Sequence, residues 1–84
     1  MNRRDVFDLI DAERARQAAL WGRDHAWGRG DCSSRSVDET VKAAVLAEEC
    51  GEVARAVLER DAAALRTELV QVAAVAVAWL EGAS

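Results

Sequence analysis

Hydrophobic residues recur every three or four positions, the spacing of an α-helix, in the first quarter of the chain. Between about Arg3 and Trp21 they form one stripe, and charged residues fill the positions between them. The stripe consists of Phe7, Ile10, Ala18 and Trp21. Gly22 follows the last of them and interrupts the pattern. The spacing predicts a first helix over residues 3–21.

The next stretch of sequence has no hydrophobic period. Residues 22–36, GRDHAWGRGDCSSRS, contain three glycines and three serines, which predicts a loop. Ser36 followed by Glu39 is a capping-box pattern. We therefore expect a second helix that begins at Val37 and continues to about Arg60.

A third helix is predicted directly after the second. Asp61 suits its N-cap, and the helical pattern then runs over residues 62–81 before Gly82. Because the link between the second and third helices is short, the two should form an antiparallel hairpin. The predicted fold is an all-α, three-helix chain that forms a single domain over residues 1–84.

The third helix is apolar around most of its circumference. From Leu69 to Leu80 only Gln71 is polar, so the helix must be covered on more than one side. A second copy of the chain, packed against the second and third helices, would complete a four-helix core. Small residues in this helix permit close approach; they are the alanines at 73, 74, 76 and 78.

Composition and charge narrow the class of protein. The 84 residues include no proline, and hydrophobic residues make up 51%, which favours a small helical domain that gains from oligomerisation. The net charge of −4 gives no long-range attraction to nucleic acid or to anionic lipid. The two cysteines are read as reduced thiols. Without a signal-peptide core, and with an apolar run of only residues 72–80, the chain is expected to be cytoplasmic and not membrane-bound.

Acidic side chains interrupt the apolar stripe of the second helix. In the segment LAEECGE, Glu49 shares its face with Val45 and Val53, Glu52 lies within roughly 60° of it, and Glu48 lies at the edge. On the third helix, Glu68 and Gln71 lie on or near the apolar stripe in the same way. The antiparallel hairpin should bring the two sets together.

Carboxylates that meet in an apolar place must be protonated, paired with cations or bound to a metal. Oxygen ligands suit Mg²⁺, or Mn²⁺, better than zinc. The alternative is a set of ordinary ion pairs, Glu52 with Arg55 and Glu48 with Lys42 or Arg55, in a helical module with a purely structural role. Periodicity leaves both interpretations open.

Cations and aromatic residues are candidates for contact with a ligand. Arg14 lies in the stripe of the first helix and Lys42 in that of Glu49, so both are expected to approach the acidic residues, where either would hold phosphate. For Arg14, a buried salt bridge to one of the glutamates is an equal alternative. Trp21 closes the first helix and is a candidate for base stacking as well as for core packing. The loop carrying Trp27 is either a lid over a ligand or a solvated connection.

Two acidic motifs in order resemble a known family. EECGE on one helix and ELVQ on the next are similar to the Glu-Glu-x-x-Glu and Glu-x-x-Asp signature of MazG-like nucleotide pyrophosphohydrolases, and the similarity spans roughly residues 37–80. The stretch ERARQAALWG is also similar to the N-terminal segment of small members. The resemblance implies a homodimer or dimer of dimers that uses Mg²⁺ to cleave a nucleoside triphosphate into a monophosphate and pyrophosphate.

The resemblance also implies roles for individual residues. Glu49, Glu52 and Glu68 match metal ligands, and Glu48 matches an acid that binds a second ion or orients water. Gln71 stands where the family has aspartate, so it supplies a weaker, neutral oxygen ligand. For the water's proton, Glu48 is the candidate base. Because of Gln71, a protein that binds or sequesters nucleotides without hydrolysing them is the alternative function.

Overall fold

Three helices account for most of the structure, a computed structural model that describes residues 1–83. They are α1 (Arg3–Trp21), α2 (Glu39–Leu58) and α3 (Ala62–Ala83). The all-α, three-helix chain predicted from the sequence is therefore confirmed. The segment between α1 and α2 adds a small antiparallel hairpin of β1 (Asp24–His25) and β2 (Gly28–Arg29), which the sequence did not predict.

The second helix begins later than its capping-box pattern predicted. Its N-cap is Asp38, whose side chain accepts a hydrogen bond from the backbone N–H of Val41 at 3.0 Å. Ser36 has a different partner: its hydroxyl accepts from the backbone N–H of Arg29 and donates to the carbonyl of the same residue. The predicted Ser36 cap is wrong because that side chain ties the β-hairpin to the chain leading into α2.

The link between α2 and α3 is as short as expected. Asp61 accepts a hydrogen bond from the backbone N–H of Ala64 at 3.0 Å and so caps the start of α3, as predicted. Before it, Arg60 has a positive φ of 55°, and the N–H of Asp61 donates to the carbonyl of Ala56 at 3.0 Å. This left-handed residue turns the chain so that α3 returns along α2, and these two helices have the most extensive contact in the fold.

Small side chains fill the buried centre. Among the residues that the structure describes, the buried hydrophobic positions are Val37, Ala56, Ala74, Val75 and Ala78. Gly82, near the end of α3, meets the loop so closely that a Cβ there would lie 2.5 Å from the carbonyl oxygen of Ser33. The loop before α2 is therefore docked on the last turn of α3.

Helix α3 leaves much of its apolar surface uncovered. It is long and apolar enough to cross a membrane by length and composition alone, although the core helices of soluble proteins pass the same test. Only 17% of its most apolar window is buried by the rest of the chain. Leu69, Val77 and Leu80 are among its exposed residues. An exposed apolar surface therefore extends along α3 in the part of the chain that the structure describes.

Candidate functional site

The hairpin of α2 and α3 brings two carboxylates and one amide together. Glu49 on α2 and Glu68 and Gln71 on α3 form what we call the acidic cluster. With its amide nitrogen turned toward the carboxylates, Gln71 donates to Glu49 Oε2 at 3.1 Å and to Glu68 Oε2 at 2.8 Å. This orientation is assigned from the hydrogen bonds that it makes. Glu49 and Gln71 meet because they lie at similar distances from the link between the helices.

The electrostatic environment of the acidic cluster is unfavourable for a charged Glu49. Burial raises the pKa of Glu49, and the negative charges of neighbouring carboxylates raise it further. These neighbours are, in decreasing order of effect, Glu68, Glu48, Glu52 and Glu13. The predicted meeting of acidic side chains from the two helices is therefore present, and it makes a place that favours a proton or a cation.

Glu48 and Glu52 lie at the rim of the acidic cluster. Both side chains are exposed, and both are close enough to Glu49 to affect its pKa. The ion pairs that are the alternative interpretation of these residues do not form: in the described part of the chain, no salt bridge joins Glu48 or Glu52 to Lys42 or Arg55. Their charges remain available to solvent or to a ligand.

Helix α1 contributes to the acidic cluster through residues that sequence reasoning missed. Arg16 donates two hydrogen bonds of 2.7 Å to the carboxylate of Glu13, and Gln17 donates a third of 3.3 Å. The hydrogen bonds from Arg16 are the main reason that the pKa of Glu13 is lowered, and the charge of Glu49 is near enough to raise the pKa of Arg16. The spacing of Glu13 and Arg16, an i,i+3 pair, was the signal that could have drawn attention to them.

Arg14 lies elsewhere than expected. Its guanidinium donates to Asp31 at 2.9 Å and to Glu81 at 2.8 Å, so it joins α1, the loop and the end of α3. The hydrogen bond to Glu81 is the main cause that raises the pKa of Arg14. The expectation that Arg14 approaches the glutamates of α2 is therefore wrong, although a salt bridge was the correct type of contact. Asp31 came from a segment without periodicity, where partners are not predictable from spacing.

The only lysine of the sequence, Lys42, is buried near the loop. Its exposed fraction is 4%, and its charge lies close enough to Cys32 to lower the pKa of that thiol. The net pKa shift of Cys32 is nevertheless upward, because burial is the largest effect and the charge of Asp31 adds to it. The raised pKa favours the protonated thiol, which is the less nucleophilic form of cysteine.

Three rings cluster on the β-hairpin and the end of α1. The ring of Trp21 meets His25 edge-on with 5.6 Å between centroids, and Trp27 lies 6.0 Å from the same imidazole. His25 Nδ1 accepts from the backbone N–H of Trp27, so Nε2 carries the proton that is donated to the carbonyl of Gly30 at 2.7 Å. Trp21 and Trp27 remain 37% and 58% exposed. This leaves an aromatic surface open on the hairpin.

The acidic cluster has the ligand chemistry of a hard cation. Within residues 1–83, no group of three or more His, Cys, Asp or Glu side chains is arranged to hold a metal ion. The third group of the acidic cluster is instead the amide of Gln71, and an amide oxygen is an accepted ligand of oxygen-seeking cations. Carboxylate and amide oxygens are the ligand types that Mg²⁺ and Mn²⁺ prefer, so these three side chains are the candidates for such an ion.

Comparisons with known proteins do not add to this picture. No protein-family model, no curated protein and no solved structure matches the chain.

Proposed function

We propose that the protein is a Mg²⁺-dependent nucleoside triphosphate pyrophosphohydrolase of the MazG-like type. The observation that carries this proposal is the acidic cluster: one amide atom of Gln71 lies 3.1 and 2.8 Å from carboxylate oxygens on two different helices. Neighbouring oxygen ligands of an octahedral Mg²⁺ ion, each about 2.1 Å from it, are about 3 Å apart. Rotation of the amide by half a turn places its oxygen where the nitrogen now lies, so the same three side chains suit a cation.

The resemblance to MazG-like proteins supports the same assignment of ligands. Glu49 and Glu68 belong to the acidic cluster, and Glu52, which the family pattern adds, lies at its rim. When bound, Mg²⁺ neutralises phosphate oxygens and lowers the pKa of a water molecule. Gln71 keeps the set less negative than an aspartate would, so the cation is held by fewer charges.

Glu48 is the residue we assign as general base. Its carboxylate is exposed next to Glu49 and forms no salt bridge within residues 1–83, so it is free to accept a proton. Water adds to a phosphorus atom of the bond between the α and β phosphates, the phosphoanhydride P–O bond breaks, and the proton of the water passes to Glu48. The products are a nucleoside monophosphate and pyrophosphate. Trp21, with its exposed ring, is retained as a candidate for contact with the base.

A second copy of the chain is proposed to cover α3. The most apolar window of this helix is only 17% buried, and Leu69, Val77 and Leu80 are exposed. A second α2–α3 hairpin would bury these side chains and complete a four-helix core. Sedimentation at micromolar concentration should give a dimer or a dimer of dimers. A stable, folded monomer under these conditions would remove this part of the proposal.

The test of the enzyme is a screen of nucleoside triphosphates with Mg²⁺, Mn²⁺ or a chelator, followed by separation of the products. We expect monophosphate and pyrophosphate only when a metal is present. Glu49→Gln and Glu68→Gln should each reduce turnover by about 10² or more, since each removes a charge that holds the metal. Glu59→Gln is the matched control because Glu59 caps the far end of α2. Equal turnover in all three variants would show that the acidic cluster is not the active site.

A nucleotide-sequestering protein is the second candidate. This candidate is favoured by the hydrogen bonds that Gln71 donates to the carboxylates of Glu49 and Glu68. Because these bonds stabilise the two carboxylates without a metal, the gain from binding a metal is smaller. Tight nucleotide binding with the nucleotide recovered unchanged would support this candidate over the enzyme. Calorimetry that shows neither metal nor nucleotide binding would leave a structural helical module.

A further inference from the structure

Lys42 is a buried cation whose side chain has no anionic partner within residues 1–83. Its exposed fraction is 4%; the backbone N–H donates to the carbonyl of Asp38, but the ammonium group takes part in no hydrogen bond or salt bridge in this range. No fully enclosed side-chain nitrogen or oxygen in this range lacks a hydrogen-bond partner. The ammonium nitrogen of Lys42 must therefore keep a small contact with solvent while its stem is buried.

The other cations near the core are already neutralised. Arg14 is held by Asp31 and Glu81, and Arg16 is held by Glu13. Both arginines therefore have carboxylate partners, whereas the charge of Lys42 acts on the thiol of Cys32, whose pKa is raised. Removing an ammonium group from water without a compensating anion costs free energy. The position of Lys42 is consequently one where an anion would be stabilising.

The distance between Lys42 and the acidic cluster indicates how long an anion must be to reach both. Lys42 precedes Glu49 by seven residues on α2, so the two side chains share a face and are separated by about 10 Å along the helix axis. A ligand held at the acidic cluster needs an extended anionic chain to reach Lys42. A polyphosphate has this length and charge, whereas a single phosphate or a carboxylate does not extend between the two places.

We infer that Lys42 binds the polyphosphate chain of the nucleotide, at the phosphate that lies away from the acidic cluster, and that Arg14 does not. This inference rests on the proposed function for the identity of the ligand. It selects Lys42 over Arg14, the other cation that the sequence offered for this role, and it places the substrate site on the side of α2 that lies near Cys32.

The sequence allows a chemical test on the unaltered protein. Of its 11 lysine and arginine residues, only Lys42 is a lysine, so the amine reagents that spare arginine label Lys42 and the N-terminus alone. Acylation with acetic anhydride, followed by mass spectrometry of peptides, should be slowed at Lys42 by inorganic pyrophosphate or tripolyphosphate, and the N-terminal amine provides the internal control. Equal acylation of Lys42 with and without tripolyphosphate would overturn the inference.

Variants provide the second measurement. By calorimetry, Lys42→Met should weaken tripolyphosphate binding by about tenfold or more, while Lys42→Arg should retain most of it because the charge is kept. Arg66→Met is the matched control, since Arg66 is exposed on α3. Mn²⁺ binding, followed by electron paramagnetic resonance, should be equal in all of these proteins. Unchanged tripolyphosphate binding in a folded Lys42→Met variant would contradict the inference.

The inference and the proposed function fail in different ways. One outcome is that no nucleotide is hydrolysed, while tripolyphosphate still protects Lys42 from acylation and binds less well to Lys42→Met. In that case the enzyme proposal fails and the anion site at Lys42 stands. If metal-dependent hydrolysis is found and Lys42→Met has the same KM and kcat as the unaltered protein, the enzyme stands and the role of Lys42 is wrong.

Discussion

Two groups of charged side chains lie between the helices, and they are built on opposite principles. Around Arg14, one cation meets Asp31 and Glu81, and every charge has a partner of opposite sign. In the acidic cluster, Glu49 and Glu68 share only the neutral amide of Gln71, and further carboxylates surround them. Burial of both groups costs free energy; the first group offsets it with ion pairs, whereas the second has only the hydrogen bonds of Gln71. The Arg14 group is therefore balanced in charge within the fold, whereas the acidic cluster carries uncompensated negative charge that raises the pKa of Glu49.

Removal of a charge from each group, with function and stability measured together, should separate the two groups. Glu49→Gln should reduce metal-dependent turnover by about 10² or more, since the cation loses a ligand charge. The free energy of unfolding without metal should stay the same or rise, because repulsion within the acidic cluster is relieved. Turnover and denaturant unfolding measure the two effects. A loss of stability without metal in Glu49→Gln would place the acidic cluster among the structural groups.

Removal of the cation from the other group should have the reverse result. Arg14→Met leaves Asp31 without its ion pair and frees the end of α3, so the free energy of unfolding should fall by about 1 to 2 kcal/mol. Mn²⁺ binding should be unchanged, because Arg14 does not face the acidic cluster. Urea unfolding and metal titration are the measurements, with Arg66→Met as the exposed control. Weaker metal binding in folded Arg14→Met would show that the two groups are coupled.

The neutral amide at the centre of the acidic cluster can be exchanged for a charge. Gln71→Asp removes the hydrogen bonds to Glu49 and Glu68 and adds a third carboxylate, so the metal-free protein should lose about 1 kcal/mol of stability. Mg²⁺ affinity should increase by about tenfold, since a carboxylate is the better ligand for a hard cation. Gln71→Asn, which keeps a neutral amide on a shorter stem, is the control. Equal Mg²⁺ affinity in Gln71→Asp would show that residue 71 does not face the cation.

The smallest expected effect is an opposite pH dependence of the two groups. The pKa of Glu49 is raised above its ordinary value of 4.5, so the folded protein binds the extra proton and Glu49 contributes stability that is lost as the pH rises through its raised pKa. The pKa of Asp31 is lowered below its ordinary value of 3.8: burial opposes this shift, but hydrogen bonds from Ser33 and Arg14 outweigh it. Asp31 therefore contributes stability that is present above 3.8 and is lost as the pH falls through its lowered pKa.

Thermal unfolding of the metal-free protein across this acidic range measures both contributions. Glu49→Gln should remove the decrease in stability that occurs above pH 4.5, and Asp31→Asn should remove the decrease that occurs at lower pH. The two variants control for each other, because each should leave the other's pH range unchanged. The opposite result would be a free energy of unfolding that rises from pH 4.5 to neutrality in the unaltered protein but not in Glu49→Gln. It would mean that the Glu49 carboxylate is paired with a cation in the folded state.

The hydrophobic period of the sequence predicted the contacts between α2 and α3, which form one helical hairpin. The stripe on α2, the apolar run on α3 and the short link at Asp61 together placed Glu49 opposite Glu68 and Gln71, as the structure has them. Contacts within one hairpin depend on helical spacing and on the length of the link, and both can be read in the sequence.

Contacts that involve α1 or the loop were not predictable in the same way. Arg14 was assigned to the wrong carboxylates because its partner Asp31 belongs to a segment without a period, and the crossing of α1 over the hairpin depends on packing. The pair of Glu13 and Arg16 has a signal in its i,i+3 spacing, but the approach of this pair to Glu49 depends on the same crossing. The N-cap at Asp38 was misplaced by two residues because the hydroxyl of Ser36 is used by the β-hairpin.

Because Lys42 is buried, cleavage of the chain after this residue can report local opening of the first turns of α2. A protease specific for lysine can cut this sequence only after Lys42, and it needs an extended strand with an accessible side chain, whereas Lys42 lies in a helix with 4% of its surface exposed. Cleavage therefore requires the first turns of α2 to separate from the loop of residues 31–36. When opening and closing are faster than cutting, the rate of proteolysis measures the free energy of that single event, distinct from unfolding of the whole chain.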